Sequence, residues 1–203
     1  MARLEIEHIV PMEDRYSMLS TSLLRGDKVR LTACKPEDLP TIARWYEDAG
    51  FARLLDAEPA SPKSERNLGE WLNGYDKSSN GYLLGIRLLD AEELIGFIEL
   101  NAILWPHGVC WLAIAIGEAA HRGKGYGYEA LRLALRFAFH ELNLHRVQLT
   151  VFGYNEHAIR LYEKLGFRRE GTYREFMRRD GQRYDMYLYG LLRHEWEAGL
   201  LEA

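Results

Sequence analysis

The feature that most constrains this chain is a glycine-rich segment, residues 121–127, which reads His-Arg-Gly-Lys-Gly-Tyr-Gly. It lies between a strand pattern and a long helical pattern. Glycine tolerates positive φ angles and close backbone approach, so such a loop can turn several backbone N–H groups toward one point. The helix that follows adds its own free N–H groups and the positive end of its dipole, and Arg122 and Lys124 add charge. The segment therefore predicts a site for a phosphate or a pyrophosphate.

The glycine spacing by itself does not identify the ligand. A nucleoside-triphosphate loop is excluded, because no Gly-Lys-Ser/Thr follows at the required spacing. Gly125, Gly127 and Ala130 fit a relaxed dinucleotide fingerprint, but the next strand, residues 145–152, lacks the acidic residue expected for the ribose hydroxyls. A glycine-rich turn needed only for close packing would also explain the pattern. The dinucleotide and packing interpretations stay open at this point.

Hydrophobic periodicity around the loop predicts one α/β (α+β) domain, with a mixed, mostly antiparallel central sheet and helices on both faces. In the first half, the predicted elements are a strand at 27–33, helices at 36–50 and 64–75, and an antiparallel meander at 82–89, 93–101 and 109–116. In the second half, they are a helix at 125–142, a strand at 145–152, a helix at 155–165, and a hairpin at 167–174 and 184–192. Residues 1–26 are weakly patterned, so we expect an N-terminal extension there and a single domain at 27–203.

Composition narrows the class of protein. A chain of 203 residues is long enough for one well-packed domain and short for two. The net charge of −4 disfavours nucleic-acid binding, which usually needs a positive excess. Cys34 and Cys110 lack metal spacing, so we expect no metal site and no disulfide framework. No apolar run is long enough for a signal sequence or a membrane span, so we expect a cytoplasmic protein without a membrane partner.

Two separate motifs occur in a fixed order. The first is Arg122-x-x-Gly125-x-Gly127, and the second is residues 155–167, Asn-Glu-His-Ala-Ile-Arg-Leu-Tyr-Glu-Lys-Leu-Gly-Phe. Together they resemble the two signatures of the GNAT N-acetyltransferases, and the surrounding order of strands and helices agrees over about residues 27–192. Two motifs in the right order are more specific than either motif alone.

Smaller features resemble the GNAT branch that includes ribosomal-protein N-terminal acetyltransferases and spermidine-type acetyltransferases. They include Leu144-His145-Arg146-Val147, Glu170-Gly171 and the acidic residue Asp185 in the last strand. Tyr128 departs from the pattern, because relatives commonly carry a small hydroxyl residue there.

The resemblance implies acetyl-CoA as co-substrate and no metal. The pyrophosphate is then expected on the glycine loop, and the pantetheine arm is expected to pair like an extra strand with residues 114–116. In the family this strand is bulged and splays from its neighbour, and one of its backbone N–H groups can bond the thioester oxygen. The implied cofactor-binding residues are Ile114, Ala115, Ile116, Arg122, Gly123, Lys124, Gly125, Tyr126, Gly127 and Asn155.

The resemblance also implies two catalytic residues. Tyr162 falls on the family's tyrosine, whose phenol can protonate the departing CoA thiolate. Glu99 lies on the strand where many relatives place a glutamate, and it could accept the amine proton through water. A core role for Tyr162, a solvent-facing Glu99 and a purely capping Asn155 remain open alternatives.

The function implied is acetyl transfer to a primary amine by direct attack in a ternary complex. The acceptor is expected to be a protein N-terminus or a small polyamine-like amine, and the resemblance suggests a homodimer. A non-catalytic acetyl-CoA-binding sensor or assembly module is the alternative, since the glycine loop would serve it equally well. A dinucleotide-binding oxidoreductase is a third hypothesis, and the missing ribose acid argues against it.

Overall fold

A seven-stranded sheet organises the computed structural model, which describes residues 23–201. The strands are β1 (Val29–Ala33), β2 (Tyr82–Leu88), β3 (Leu94–Leu104), β4 (Val109–Ile116), β5 (Arg146–Phe152), β6 (Arg168–Arg179) and β7 (Gln182–Leu192). The helices are α1 (Leu39–Trp45), α2 (Ala49–Leu55), α3 (Glu65–Asp76), α4 (Tyr126–Arg136), α5 (Glu156–Lys164) and α6 (Arg193–Leu201). A π-helical turn, Phe137–Glu141, extends α4. The strand order is β1-β2-β3-β4-β5-β7-β6, which confirms the predicted mixed sheet.

The sheet splits along its length between β4 and β5. The neighbours on either side pair antiparallel over long stretches, but β4 and β5 run parallel and pair only over residues 109–111 and 146–148. Beyond Trp111 the two strands part. Among the strands of residues 23–201, a backbone edge of β4 is therefore left without a partner, as the family resemblance implied.

Helices cover both faces of the sheet, as predicted. On one face, Phe51 of α2 and Leu68 of α3 join Ala115 of β4 in a buried cluster. On the other face, Leu133 of α4 and Ile114 of β4 belong to a second cluster. Successive side chains of a strand point to opposite faces, so the neighbours Ile114 and Ala115 pack into different cores.

The single helix predicted at 36–50 is wrong in detail. The structure has a 3₁₀ turn at Pro36–Asp38, then α1, then a break before α2. Asp48 makes the break, because its backbone is extended and its Oδ1 accepts the Gly50 N–H at 2.8 Å to cap the new helix. Gly50, expected to end a helix, lies in the first turn of the next one. Helix α6 was not predicted at all.

The bulge expected in β4 lies instead in its partner. The register of β4 against β3 is continuous from Ile116 back to Trp111 and shifts only beyond Asn101 of β3. There Ala102 has a φ of 47°, a left-handed conformation that lets one strand carry an extra residue. The split between β4 and β5 therefore does not depend on a bulge in β4.

Residues 23–28 are fastened to the helix that follows the glycine loop. The carboxylate of Glu129 on α4 accepts the backbone N–H groups of Lys28 at 3.0 Å and Val29 at 3.2 Å. These bonds hold the start of β1 beside the N-terminus of α4. The rest of the expected extension, residues 1–22, lies outside the described residues, and the domain boundary at residue 27 stays a prediction.

Candidate active site

A cleft of about 1210 Å³ opens where β4 and β5 part. Residues 112–116 of β4 and 150–152 of β5 form its walls, and the glycine loop and α5 line it on the α4 face of the sheet. Helix α2 and the β6–β7 hairpin also contribute lining residues. Because α2 and α5 pack on opposite faces of the sheet, the cleft reaches both faces. A ligand bound on one face can thus meet a second ligand that enters from the other.

The glycine loop presents its backbone to this cleft. Gly123 and Gly125 have φ angles of 74° and 86°, and Gly125 is the N-cap of α4. The N–H groups of the first turn, from Tyr126 onward, are those that an α-helix leaves without an internal partner. Gly123, Gly125 and Gly127 line the cleft, whereas Lys124 and Tyr126 do not. Backbone N–H groups in such a turn, together with the helix dipole, suit an anion.

The Arg122 side chain turns inward rather than toward the loop. Its Nε donates to the carbonyl oxygen of Ile116 at 3.2 Å, and its Nη2 donates to that of Gly117 at 2.8 Å. The guanidinium therefore fastens the loop to the end of β4. A cation missed by the sequence analysis lies nearby, since Nζ of Lys28 is 3.4 Å from the carbonyl oxygen of Lys124. The two residues are 96 positions apart, so no local pattern could have found this neighbour.

The strand segment predicted for the pantetheine forms the cleft wall. Ile114, Ala115 and Ile116 all line the cleft, and β4 keeps its pairing with β3 on the other edge. Backbone groups on an unpaired strand edge can bind an extended ligand as an added strand would. A Cβ built at Gly127 would lie 3.7 Å from Cγ1 of Ile116, so the start of α4 packs closely against this strand.

Tyr162 reaches the cleft from α5. The residue is only 6% exposed, its ring packs edge-on against Phe167 at 5.8 Å between centroids, and it lines the cleft. Burial raises the pKa of the Tyr162 phenol well above its usual range, because the phenolate would lose its hydration. The phenol is therefore protonated at neutral pH.

Asn155 caps helix α5. Its Oδ1 accepts the Ala158 N–H at 3.3 Å, and its Nδ2 lies 3.5 Å from the carbonyl oxygen of Leu54 on α2. Asn155 also lines the cleft. The structure thus shows the cap, whereas the cofactor contact stays a prediction and a purely capping role stays open.

Glu99 lies on β3, one strand behind the cleft wall, and its cross-strand partner is Ala113 of that wall. The indole Nε1 of Trp71 donates to Oε1 of Glu99 at 3.0 Å, and Nδ2 of Asn101 lies 3.4 Å from Oε2. Burial raises the pKa of this carboxyl, and hydrogen bonds from Trp71, Tyr75 and Asn101 partly oppose the rise. The Glu99 side chain is half-buried rather than fully solvent-facing, because Trp71 of α3 lies against it.

The tip of the β6–β7 hairpin is clamped onto α2, which the sequence analysis missed. Arg53 of α2 makes two bonds to the Asp180 carboxylate, at 2.9 and 3.0 Å. Nη2 of Arg179 donates to the carbonyl oxygens of Asp56 and Glu58, at 3.0 and 2.9 Å. The Tyr154 hydroxyl donates to the carbonyl oxygen of Arg53 at 2.6 Å. The sequence predicted the hairpin, but nothing local indicates where the tip of a hairpin docks.

The two cysteines do not line this cleft. Cys34 and Cys110 are buried free thiols, and burial raises the pKa of each to about 12, so both are protonated. Among residues 23–201, His, Cys, Asp and Glu side chains form no group of three that could hold a metal ion. Within the same range, no helix is long and apolar enough to cross a membrane.

The sequence and the fold both match known acetyltransferases. The family model described as "Acetyltransferase (GNAT) domain" matches residues 28–168. The SPbeta prophage-derived uncharacterized N-acetyltransferase YokL of Bacillus subtilis (strain 168) is 31% identical over 172 residues, covering 85% of this chain and 94% of the relative.

Two further proteins are similar over most of their length. The [Ribosomal protein uS5]-alanine N-acetyltransferase of Escherichia coli (strain K12) is 29% identical over 190 residues, covering 85% of this chain and 95% of the relative. A crystal structure of spermidine N-acetyltransferase from Vibrio cholerae in complex with CoA and spermine superposes with a TM-score of 0.76 at 27% identity. That alignment covers 83% of this chain and 98% of the other.

Proposed function

The chain belongs to the GNAT acetyltransferase family and is an N-acetyltransferase, and on that basis we propose that it transfers the acetyl group of acetyl-CoA to a primary amine by direct attack in a ternary complex. The observation that carries the proposal is the split between β4 and β5. The split opens a cleft with the glycine loop and Tyr162 on one face of the sheet, and Glu99 behind the wall on the other.

The described residues fit acetyl-CoA. The backbone N–H groups at residues 123–127 are suited to the pyrophosphate, and the unpaired edge of residues 114–116 is suited to the amide groups of the pantetheine arm. Arg122 would act by holding the loop against the end of β4, since its guanidinium is bonded to the carbonyls of Ile116 and Gly117 and its own N–H donates to the carbonyl oxygen of Ala119 at 3.1 Å. Lys28 adds a nearby positive charge. Because Oδ1 of Asn155 accepts the Ala158 N–H in the helix cap, Asn155 would contact the cofactor through its Nδ2 amide group.

Glu99 is suited to accept the proton that the amine must lose. When bound, acetyl-CoA supplies an activated acetyl thioester, and attack by the amine forms the N–C bond and breaks the C–S bond. The carboxyl of Glu99 has its pKa raised by burial, and the amide of its neighbour Asn101 reaches the cleft. A carboxylate with a raised pKa is a stronger base and holds the proton of the amine better. Transfer through water fits its place one strand behind Ala113.

Tyr162 is suited to return a proton to the departing sulfur. A buried phenol is a weak acid, but a thiolate without water is a strong base. The buried thiols of Cys34 and Cys110 illustrate this, because burial raises the pKa of each to about 12, above the usual value of about 8.5. The same loss of hydration at the cleft would raise the pKa of the CoA thiol and bring it closer to the pKa of the Tyr162 phenol.

Two of the relatives named above are an alanine N-acetyltransferase for a ribosomal protein and a spermidine N-acetyltransferase. Their acceptors share one chemical feature, a primary amine, and that is the acceptor class proposed for this chain. The homodimer and the cytoplasmic location expected from the sequence stay predictions.

The test is release of free CoA thiol from acetyl-CoA over a panel of primary amines, with binding of acetyl-CoA measured separately by calorimetry. We expect binding and at least one productive amine. Glu99→Gln should lower kcat/KM strongly and remove the acidic limb of its pH profile. Glu118→Gln is the matched control. Glu118 lies just before the glycine loop, but its carboxylate pairs with Arg44 at 2.8 Å on the surface. Tight binding of acetyl-CoA without turnover on any amine would favour a sensor instead.

A further inference from the structure

The acceptor side of the cleft has an apolar wall. It is contributed by helix α2, strand β5 and the β6–β7 hairpin, and consists of Phe51, Leu54, Leu55, Phe152, Phe176 and Met186. Two of these side chains remain substantially exposed, Leu54 at 39% and Phe176 at 49%. Large apolar side chains that stay exposed at the edge of a concave site are typical of ligand-binding surfaces.

Phe176 reaches the cleft because β6 bulges. In the ladder, Tyr173 pairs with Met186 and Met177 pairs with Tyr184, so residues 174–176 stand opposite Asp185 alone. Such an excess of residues makes a strand bend out of the ladder. The bulge thereby places Phe176 at the cleft. In a regular strand, Phe176 would instead pair with a residue of β7.

Asp185 holds this bulge in shape. Its Oδ1 accepts the backbone N–H of Glu175 at 2.8 Å, and Glu175 has a left-handed φ of 52°. Nη1 of Arg183 donates to the carbonyl oxygen of Glu175 at 3.2 Å. Asp185 is the acidic residue of the last strand that the sequence analysis associated with one branch of the family, and here it positions Phe176.

Most of the charged groups around the wall are bonded to each other or to the backbone. Arg53 and Asp180 bond each other, and the Asp56 carboxylate accepts the Glu58 N–H at 3.0 Å. The other acidic residue among the described lining residues, Glu156, is paired with Arg160 at 3.1 Å. Asp56 is then the one carboxylate among the described lining residues without a charged partner, so an acceptor with several ammonium groups would leave some of them unpaired. Taking an unpaired ammonium out of water is costly, so a polyamine chain is poorly matched to this wall.

We propose that the acceptor is a monoamine whose amine-bearing carbon carries an uncharged apolar substituent, and that Phe176 and Leu54 select it. This inference rests on the proposed function and specifies its acceptor. The substituent would pack against the two side chains while the amine points toward Ala113 and Glu99. Such an amine can be a free small molecule or the first residue of a peptide, and the acceptor panel separates the two.

The experiment compares kcat/KM for leucinamide, glycinamide, leucyl-glycyl-glycine amide and spermidine. A pocket that buries an aliphatic side chain commonly discriminates by one to two powers of ten, so leucinamide should exceed glycinamide by about 10–100-fold. Spermidine should be poorer than leucinamide. If the acceptor is a free small molecule, kcat/KM should be higher for leucinamide than for the peptide. If the acceptor is a peptide, kcat/KM should be higher for the peptide.

Variants then test which residues cause the preference for leucinamide over glycinamide. Phe176→Ala should raise KM for leucinamide about tenfold, leave kcat largely unchanged and leave glycinamide nearly unaffected, and Phe176→Leu should restore most of the preference. Asp185→Ala should resemble Phe176→Ala, with rescue by Asp185→Asn, which keeps an oxygen acceptor for Glu175. Tyr173→Ala is the matched control, because Tyr173 is 45% exposed beside Phe176 but does not line the cleft.

The outcomes separate this inference from the proposed function. If spermidine is the best acceptor, or if Phe176→Ala leaves the ratio of leucinamide to glycinamide unchanged, the apolar selection is wrong while the acetyl transfer stands. If no amine in the panel releases CoA although acetyl-CoA binds, the proposed transfer fails and the inference fails with it. A collapsed preference in Phe176→Ala, with the preference intact in Tyr173→Ala, supports the inference.

Discussion

Replacing Tyr162 with Phe is the most informative single change, because it removes one oxygen atom and keeps the packed ring. The ring contacts Phe167 edge-on at 5.8 Å and fills a position that is only 6% exposed. Truncation to Ala would instead leave a cavity costing about 3–5 kcal/mol. Phe retains that packing, so the free energy of unfolding should change by about 1 kcal/mol or less, which corresponds to about 2–4 °C in Tm for a chain of this size.

The expected kinetic loss is much larger than the loss of stability. A positioned acid typically contributes about 10²–10⁴ in rate, and each factor of ten corresponds to about 1.4 kcal/mol, so the barrier should rise by about 3–5 kcal/mol. The loss should appear in kcat, since the phenol acts as the sulfur departs, and binding of acetyl-CoA should be nearly unchanged. CoA thiol release, calorimetric binding and thermal melting, measured on the same preparation, separate these effects.

Tyr189→Phe is the matched control for this experiment. Tyr189 is 1% exposed and its hydroxyl donates to Oε1 of Glu163 at 2.8 Å, but it does not line the cleft. Removing that hydroxyl should cost about 1 kcal/mol of stability and leave kcat close to wild type. If Tyr162→Phe keeps kcat within a factor of two while binding acetyl-CoA normally, Tyr162 is not the acid. Loss of binding in Tyr162→Phe would give it a cofactor-holding role instead.

Three further changes test other parts of the structure. Glu99→Gln should stabilise the protein more at pH 8 than at pH 4. A carboxyl with a raised folded pKa contributes stability below its unfolded pKa, and this stability is lost as pH rises through the folded pKa. Equal shifts in Tm at both pH values would contradict the raised pKa. Glu129→Ala should cost about 2 kcal/mol, or about 4–8 °C in Tm, by releasing the start of β1, and an unchanged Tm would contradict that tether. Gly127→Ala should keep binding of acetyl-CoA, since the nearest atoms to its Cβ would be 3.7 Å away. Gly117→Ala would place a Cβ 2.1 Å from Trp45 and should lower the free energy of unfolding by about 1–3 kcal/mol. Equal melting temperatures and equal acetyl-CoA binding in the two variants would refute this difference.

The amino-acid sequence by itself determined the parts of this protein that depend on neighbours along the chain. Strand and helix periodicity predicted the mixed sheet, and the boundaries of β4 agree with the prediction. Glycines at 123 and 125 indicated positive φ angles, and Asn155 indicated a helix cap. Such signals are local because they come from backbone conformation and the first turn of a helix.

The tertiary structure alone decided which groups meet at the cleft. Arg122, read as a phosphate cation, bonds the end of β4, and Lys28 approaches the loop from 96 positions away. Glu99 became a half-buried group because α3 lies against it, and Phe176 joined the cleft through a bulge held by Asp185. These arrangements depend on contacts between residues far apart in the sequence, and their energies arise only when the sheet brings those residues together.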